Sequence, residues 1–261
     1  MDRAQARGQR VSQPVLVTRN LCKEFGALAV TQNVNFSLAA AARHALIGPN
    51  GAGKTSFINL LTGVLQPSAG QIWLAGENIT RLRPDQRVKR GLARTFQINT
   101  LFPHLTLLEA VTMAVCERLG VTGRWFSHLT AQGDAVEEAH ALLVQLKLAD
   151  VCNQVTRELP YGRQRLLEIA LALACRPQVL LLDEPAAGIP AAESEELFEV
   201  IAALPRGISI LFIEHDMRLV MRFAERITVM VAGEILVEGA PSEIADDARV
   251  RAVYLGAKRR A

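Results

Sequence analysis

Lys54 and Thr55 close the run Gly48-Pro49-Asn50-Gly51-Ala52-Gly53-Lys54-Thr55-Ser56, a Gly-x-x-x-x-Gly-Lys-Thr pattern. Residues of these types at this spacing make a phosphate cradle. Glycine lets the backbone curl until successive N–H groups point inward. A lysine at the end of the curl reaches the β- and γ-phosphates, and the adjoining hydroxyl is a Mg2+ ligand. A second group of chemical residues is Asp183-Glu184, directly after the apolar run Val179-Leu180-Leu181-Leu182. Ligands of open α/β sheets collect at the carboxyl ends of strands. Asp183 therefore suits the Mg2+ shell, directly or through water. Side-chain alternation would put Glu184 on the other side of the strand, suited to orienting or deprotonating an attacking water. His215 follows a further apolar run, "ISILFIE", and falls at a third strand end, where a γ-phosphate sensor is useful. His44, His104, His128 and His140 have no such context and receive no role.

Only certain elements can bring these positions to one place. "ARHALIG" (42–48), "QVLLLD" (178–183), "ISILFIE" (208–214) and "RITVMVAG" (226–233) are continuous apolar runs of strand length. Runs apolar on both faces suit central strands of a parallel sheet covered by helices, and helical patterns separate several of them. The expected class is thus α/β, with a mainly parallel sheet and βαβ crossovers. "SFINLLTGVL" after the glycine run is amphipathic, so a helix N-terminus adds its positive end to the cradle. The opening "VLVTRNLCKEFGALAVTQNVNFSL" and the later "GQIWLAGENI" alternate and carry turn residues, as an antiparallel β subdomain would. Between them and the later strands the texture is helical. Thr106-Leu107-Leu108-Glu109 is a capping-box pattern predicting a helix to about Leu119. A loop-like stretch follows, then a helix from about Asp134 to Leu148, and a third after Gly162. The expected organisation is a loose N-terminus (1–13), one domain (14–256) and a tail (257–261). Within the domain the core spans 14–97 and 176–240, an inserted helical lobe 98–175, and C-terminal helices 241–256.

Bulk composition narrows the partners. The chain has 261 residues, half of them hydrophobic, and a formal net charge of +3, too small to argue for nucleic acid. Arg81-Leu82-Arg83 and Lys258-Arg259-Arg260 read as solvated surface or tail. Cys22, Cys116, Cys152 and Cys175 form no CxxC pair, so reduced thiols rather than zinc ligands are expected. The first ten residues lack a signal-peptide core, and no apolar run approaches the ~20 residues of a membrane span. Any membrane role is expected to come through a partner.

Taken in order, these elements resemble the ATP-binding subunits of ABC transporters over nearly the whole chain. The resemblance implies an ABC ATPase form of the P-loop NTPase fold, with ATP and Mg2+ as cofactors. It implies that Phe25 in "LCKEFGAL" stacks on adenine, that Gly48 to Ser56 hold the phosphates, and that Gln97 in "LARTFQ" links the metal site to the helical lobe. Asp183 matches the magnesium aspartate, Glu184 the catalytic glutamate and His215 the switch histidine, with Thr55 and Lys54 in their usual roles. "LPYGRQR" (159–165) aligns with the signature turn that caps a nucleotide held by a second subunit. Leu159 and Gly162 are retained there. Pro160 stands for a serine, Tyr161 for a glycine and Arg163 for a glutamine, while Pro190 departs from the usual aspartate or asparagine.

Within the family, "GPNGAGKTSFINLLTG", "ARTFQINTLFPHLTLLEAV", "IEHDMRLVM" and a final "YLG" are similar to one ATPase subunit of branched-chain amino-acid importers. Leu-x-Tyr-Gly turns are familiar in that group. The resemblance implies a cytoplasmic-face subunit bound to transmembrane permease subunits, served indirectly by an extracytoplasmic solute-binding protein. It implies a head-to-tail pair of ATPases. The altered turn favours a heterodimer with a distinct homologue over a homodimer. Phe102 and Leu105 are candidates for receiving a permease helix, or else for packing within the lobe. The alternatives are the ATPase of a lipid or lipopolysaccharide exporter, a soluble non-transport ABC ATPase, and a regulatory subunit without turnover.

Overall fold

The structure, a computed structural model, describes residues 14–95, 102–121 and 133–257. Gln97, residues 1–13 and the last four residues lie outside the described residues, as does most of the loop between the first two lobe helices.

The chain opens with strands β1 (Pro14–Phe25) and β2 (Leu28–Ala39), then β3 (Arg43–Ile47), helix α1 (Lys54–Thr62), β4 (Ala69–Leu74), β5 (Glu77–Asn78), α2 (Pro84–Lys89) and β6 (Leu92–Arg94). Helices α3 (Leu107–Leu119), α4 (Gly133–Gln145) and α5 (Tyr161–Ala174) follow. The chain closes with β7 (Val179–Asp183), α6 (Ala191–Ala202), β8 (Ser209–Ile213), α7 (Met217–Phe223), β9 (Arg226–Val231), β10 (Glu234–Gly239), α8 (Pro241–Asp246) and α9 (Ala248–Ala257).

Two sheets result. One is antiparallel, in the order β2-β1-β4-β5, and contains the alternating segments; the other runs β10-β9-β3-β8-β7-β6. Its strands β9, β3, β8, β7 and β6 are parallel, and β10 returns antiparallel on β9. Its central strands are buried on both faces, as their unbroken apolar runs require. Ala45, Ile47, Leu180, Leu182, Ile210 and Phe212 pack with α3, α4, α5 and α6 in one core. Their alternate neighbours Leu46, Leu181, Leu211 and Ile213 pack on Phe57, Leu60 and Leu61 of α1 and on the antiparallel sheet. Helices α3, α4, α5 and α6 therefore cover one face, and α1 takes part of the opposite one. The other is closed largely by a second sheet, because the apolar side of β1 and β2 needs a surface to bury against.

Local signals act where the sequence places them. Thr106 caps α3, its Oγ1 accepting from the Glu109 N–H at 3.2 Å while a Glu109 carboxylate oxygen accepts from the Thr106 N–H at 2.8 Å. Arg87 on α2 is fully buried and donates to the carbonyls of Leu60 and Leu61 at 2.6 and 2.7 Å, satisfying two of the last acceptors of α1. Helix α1, which begins at Lys54, is thereby tied down at its far end.

His44 on β3 is buried, with its Nε2 2.7 Å from Thr228 Oγ1 and its ring edge-on to Phe36. Burial holds its pKa down to about 4 from an ordinary 6.5; Glu238 opposes the shift and Arg226 adds to it. The folded state thus keeps the ring neutral. Stability from this residue is complete above about pH 6.5 and is lost as pH falls towards 4. The loss expected by pH 4 is about 3 kcal/mol. Urea unfolding at several pH values should show a flatter acid limb for His44→Gln. An unchanged limb would remove His44 from the acid response.

Candidate functional site

The chain between β3 and α1 is the glycine run. A Cβ on Gly48 would lie 2.2 Å from the Met230 carbonyl oxygen, so the loop leaves the sheet in a space only glycine fits. Gly53, at φ 97°, both turns the chain into the helix and passes 2.6 Å, measured to a notional Cβ, from the Val30 carbonyl oxygen. The β9–β10 turn clamps the loop: the Gly233 N–H donates to Ala52 O at 2.9 Å, and Gln32 N–H donates to Gly233 O at 2.8 Å. From the C-terminal helix α9, Tyr254 shares a hydrogen bond with the Gly48 backbone; burial pushes its phenol pKa up against that bond.

Lys54 is buried and folds back over the loop, donating from Nζ to Gly48 O at 2.7 Å and Pro49 O at 3.1 Å. Burial lowers its pKa, while the carboxylates of Glu184 and Asp183 oppose the shift. An ammonium, two acids and a row of backbone N–H groups thus share one corner. A pocket of about 700 Å3 opens there, lined by Asn50 to Ser56, Leu28, Ala29, Val30, Gln32, Ala232, Gly233, Glu184 and His215. That volume is of the size that takes a small organic ligand.

The paired acids are arranged differently from a simple pleat. Strand β7 ends at Asp183, and Glu184 has left-handed backbone, φ 49°. Side-chain alternation therefore does not set its direction; the turn does. Its N–H donates to Ile213 O at 3.0 Å, and its Oε1 lies 2.7 Å from His215 Nε2. Asp183, one residue earlier, points instead to Arg94 on β6, whose guanidinium donates to Asp183 Oδ2 at 2.6 Å and to Asn59 Oδ1 on α1 at 2.7 Å. Arg94 lies in the "LARTFQ" stretch, but no local pattern pairs it with a residue 89 positions away.

Phe25 sits at the exposed end of the β1–β2 hairpin, opposite Leu28, with Lys23 Nζ 5.0 Å from its ring centroid. It is outside the pocket wall, which Leu28 and Val30 form. The hairpin turn Gly26-Ala27 was the only sequence sign that residues past Phe25 would come to that wall.

The turn Leu159–Arg163 lies elsewhere. Leu159 is buried and Pro160 is the N-cap of α5, with no side-chain cap. Tyr161 is exposed, stacks beside Arg165 and accepts a 2.8 Å hydrogen bond from it. A Cβ on Gly162 would meet Glu193 Oε2 at 2.9 Å, and Arg163 pairs with Asp150 at 2.8 Å. None of these five residues lines the pocket. Pro190 caps α6 in the same way as Pro160 caps α5. Phe102 is exposed and Leu105 half-buried.

Comparison with known proteins places this geometry. The ABC transporter family pattern matches residues 31–187. The branched-chain amino-acid transport ATP-binding protein LivG of Escherichia coli is 39% identical over 94% of this chain and 99% of its own length. The chain belongs to the ABC transporter ATP-binding family. Its cassette is also 37% identical to BraF, a high-affinity branched-chain amino-acid transport ATP-binding protein of Pseudomonas aeruginosa, again over 94% of this chain and 99% of the relative. The ADP conformation of the ATP-binding cassette MJ1267 superposes with a TM-score of 0.82 at 28% identity, covering 94% of this chain and all of that one. As an ABC ATPase the chain binds and hydrolyses ATP, and the pocket at Lys54 is lined by the glycine loop, Glu184 and His215, with Asp183 outside its wall on Arg94. Among the described residues no helix is long and apolar enough to cross a membrane.

Proposed function

We propose that this ATPase powers an importer of branched-chain amino acids, or of a related small polar solute, from the cytoplasmic face of the membrane, bound to permease subunits and supplied by an extracytoplasmic binding protein. The relatives named above support the solute class. We further propose that it works as a head-to-tail pair with a distinct homologous ATPase. One observation carries the pairing. The pocket has phosphate loop, acid and histidine on one side, yet Leu159–Arg163 are absent from its wall. A triphosphate bound there keeps an open side, and the turn stands ready to cover a different nucleotide. Closing two such sites face to face excludes water and strengthens each contact.

The donors present fit Mg2+. Thr55 offers an exposed hydroxyl and Asp183 a partly exposed carboxylate, both hard oxygen ligands. Among the described residues no cluster of three or more His, Cys, Asp or Glu could hold a metal by itself. Mg2+ is commonly held by one or two protein oxygens, with phosphates and water completing its shell. When bound, the ion would offset charge on the β- and γ-phosphates. Gln97 is proposed to link that site to the lobe. Phe25 is proposed to turn onto the adenine, with Lys23 behind it. Lys54 leaves the loop carbonyls for the phosphates, Glu184 orients water for in-line attack, and His215 holds Glu184 and senses the γ-phosphate.

The test is ATP turnover of the purified chain across a range of concentrations, alone and in proteoliposomes with permease, second ATPase and binding protein. The expected result is negligible turnover alone and stimulation by leucine-loaded binding protein in the complex. A rate rising with concentration for the chain alone would instead make it a homodimer. Stimulation indifferent to leucine, isoleucine and valine would remove the solute assignment.

A further inference from the structure

Glu214 follows directly after β8 and is 5% exposed. Its two carboxylate oxygens go to different segments: Oε1 accepts from the Ala186 N–H at 2.8 Å, and Oε2 accepts from the His215 N–H at 3.1 Å. Ala186 lies two residues past Glu184. One buried side chain thus joins the backbone after the water-orienting acid to the backbone of its histidine. We propose that Glu214 is a positioning residue for hydrolysis, holding the Glu184 turn and His215 in register so that Glu184 Oε1 and His215 Nε2 meet.

Three observations support this assignment. Glu214 is an expensive residue for the place. Burial raises its pKa, and Glu184 nearby raises it further, against the two backbone hydrogen bonds and His215. No salt bridge to Glu214 occurs among the described residues. A buried acid without an ion-pair partner is unfavourable unless its hydrogen bonds are specifically needed. The two N–H donors arrive at different oxygens of one side chain, and an amide there would turn its NH2, a donor, toward one of them. Finally, Glu184 is a non-glycine residue at φ 49°, a conformation that persists when surrounding contacts over-determine it. The Glu184 N–H to Ile213 O bond, the Ala187 N–H to Glu184 O bond at 3.0 Å, and the Glu214 bridge are those contacts.

The proposal rests on Glu184 and His215 serving hydrolysis as described above. It is tested in the assembled, ATP-hydrolysing complex with Glu214→Gln, which keeps size but turns a donor toward one of the two N–H groups. The expected result is a fall of about tenfold or more in kcat, with the KM for ATP and the affinity for a fluorescent ATP analogue within about twofold. In a His215→Ala background the same change should cost less than about twofold, because residues acting through one unit are not additive. Glu214→Asp keeps both acceptors at a shorter reach and should show the same split between kcat and KM. It serves as the folded variant if Glu214→Gln does not fold. Equal losses in both backgrounds, a raised KM at unchanged kcat, or unchanged kcat would overturn the proposal. Failure of the underlying reading has its own signature, a Glu184→Gln complex that turns over ATP as fast as wild type.

Discussion

Glu184→Gln is expected to lower steady-state ATP turnover by about 10²–10³-fold while leaving ATP affinity within about twofold. Glutamine keeps the volume of glutamate and can still meet His215 Nε2, which lies 2.7 Å from Glu184 Oε1. It cannot take a proton from water. General-base assistance contributes about 10²–10⁴-fold in enzymes, so the lower part of that range allows for residual orientation by the amide. The change leaves Lys54 and the loop N–H groups, the donors for phosphate, in place. Bound ATP should therefore accumulate instead of being turned over, and the closed pair with it. Size-exclusion chromatography of the variant with the second ATPase and ATP should show a paired species that the wild-type mixture passes through. A variant that hydrolyses ATP within a few-fold of wild type would take Glu184 out of the reaction.

Lys54→Ala should abolish detectable turnover and weaken ATP binding by at least about tenfold. The ammonium is buried and sits in the field of Glu184 and Asp183. Without it, two acids face a triphosphate with one cation fewer, and charge-assisted hydrogen bonds worth about 1.5–3 kcal/mol each disappear. The change also removes the donor that holds Gly48 O and Pro49 O, so the nucleotide-free loop loses two contacts. Thermal unfolding separates the two effects. ATP raises the midpoint of wild type because ligand binds only the folded state. In Lys54→Ala the midpoint without nucleotide should drop slightly, and reaching the wild-type rise should take at least about tenfold more ATP. A rise at the same ATP concentrations as wild type would mean that the backbone cradle binds phosphate without the lysine.

Some of this chain could be read before any coordinates. The glycine loop is readable because Gly48, Gly53, Lys54 and Thr55 act over eight consecutive residues, and the backbone requirement is written in residue type. The capping box Thr106–Glu109 and the strand runs around Leu46, Leu181 and Leu211 are readable for the same reason: each is decided by neighbours a few positions apart. Strand ends mark where chemistry gathers, and this points to Asp183, Glu184 and His215.

The tertiary structure decided which of these residues touch. Arg94 on Asp183, Glu214 on Ala186, His215 on Glu184, and Gly233 on Gln32 and Ala52 are contacts between segments distant in the chain. They follow from the strand order β10-β9-β3-β8-β7-β6, which brings residues near 45, 180 and 210 side by side. Hydrophobic periodicity records which face of a strand is buried, but it is blind to which strand lies next to it. A carboxylate at a strand end is thus a sequence-level fact. Whether it meets an arginine, a histidine or water depends on the neighbouring strand, because ion pairs and hydrogen bonds act over about 3 Å and only the packed sheet brings groups that close.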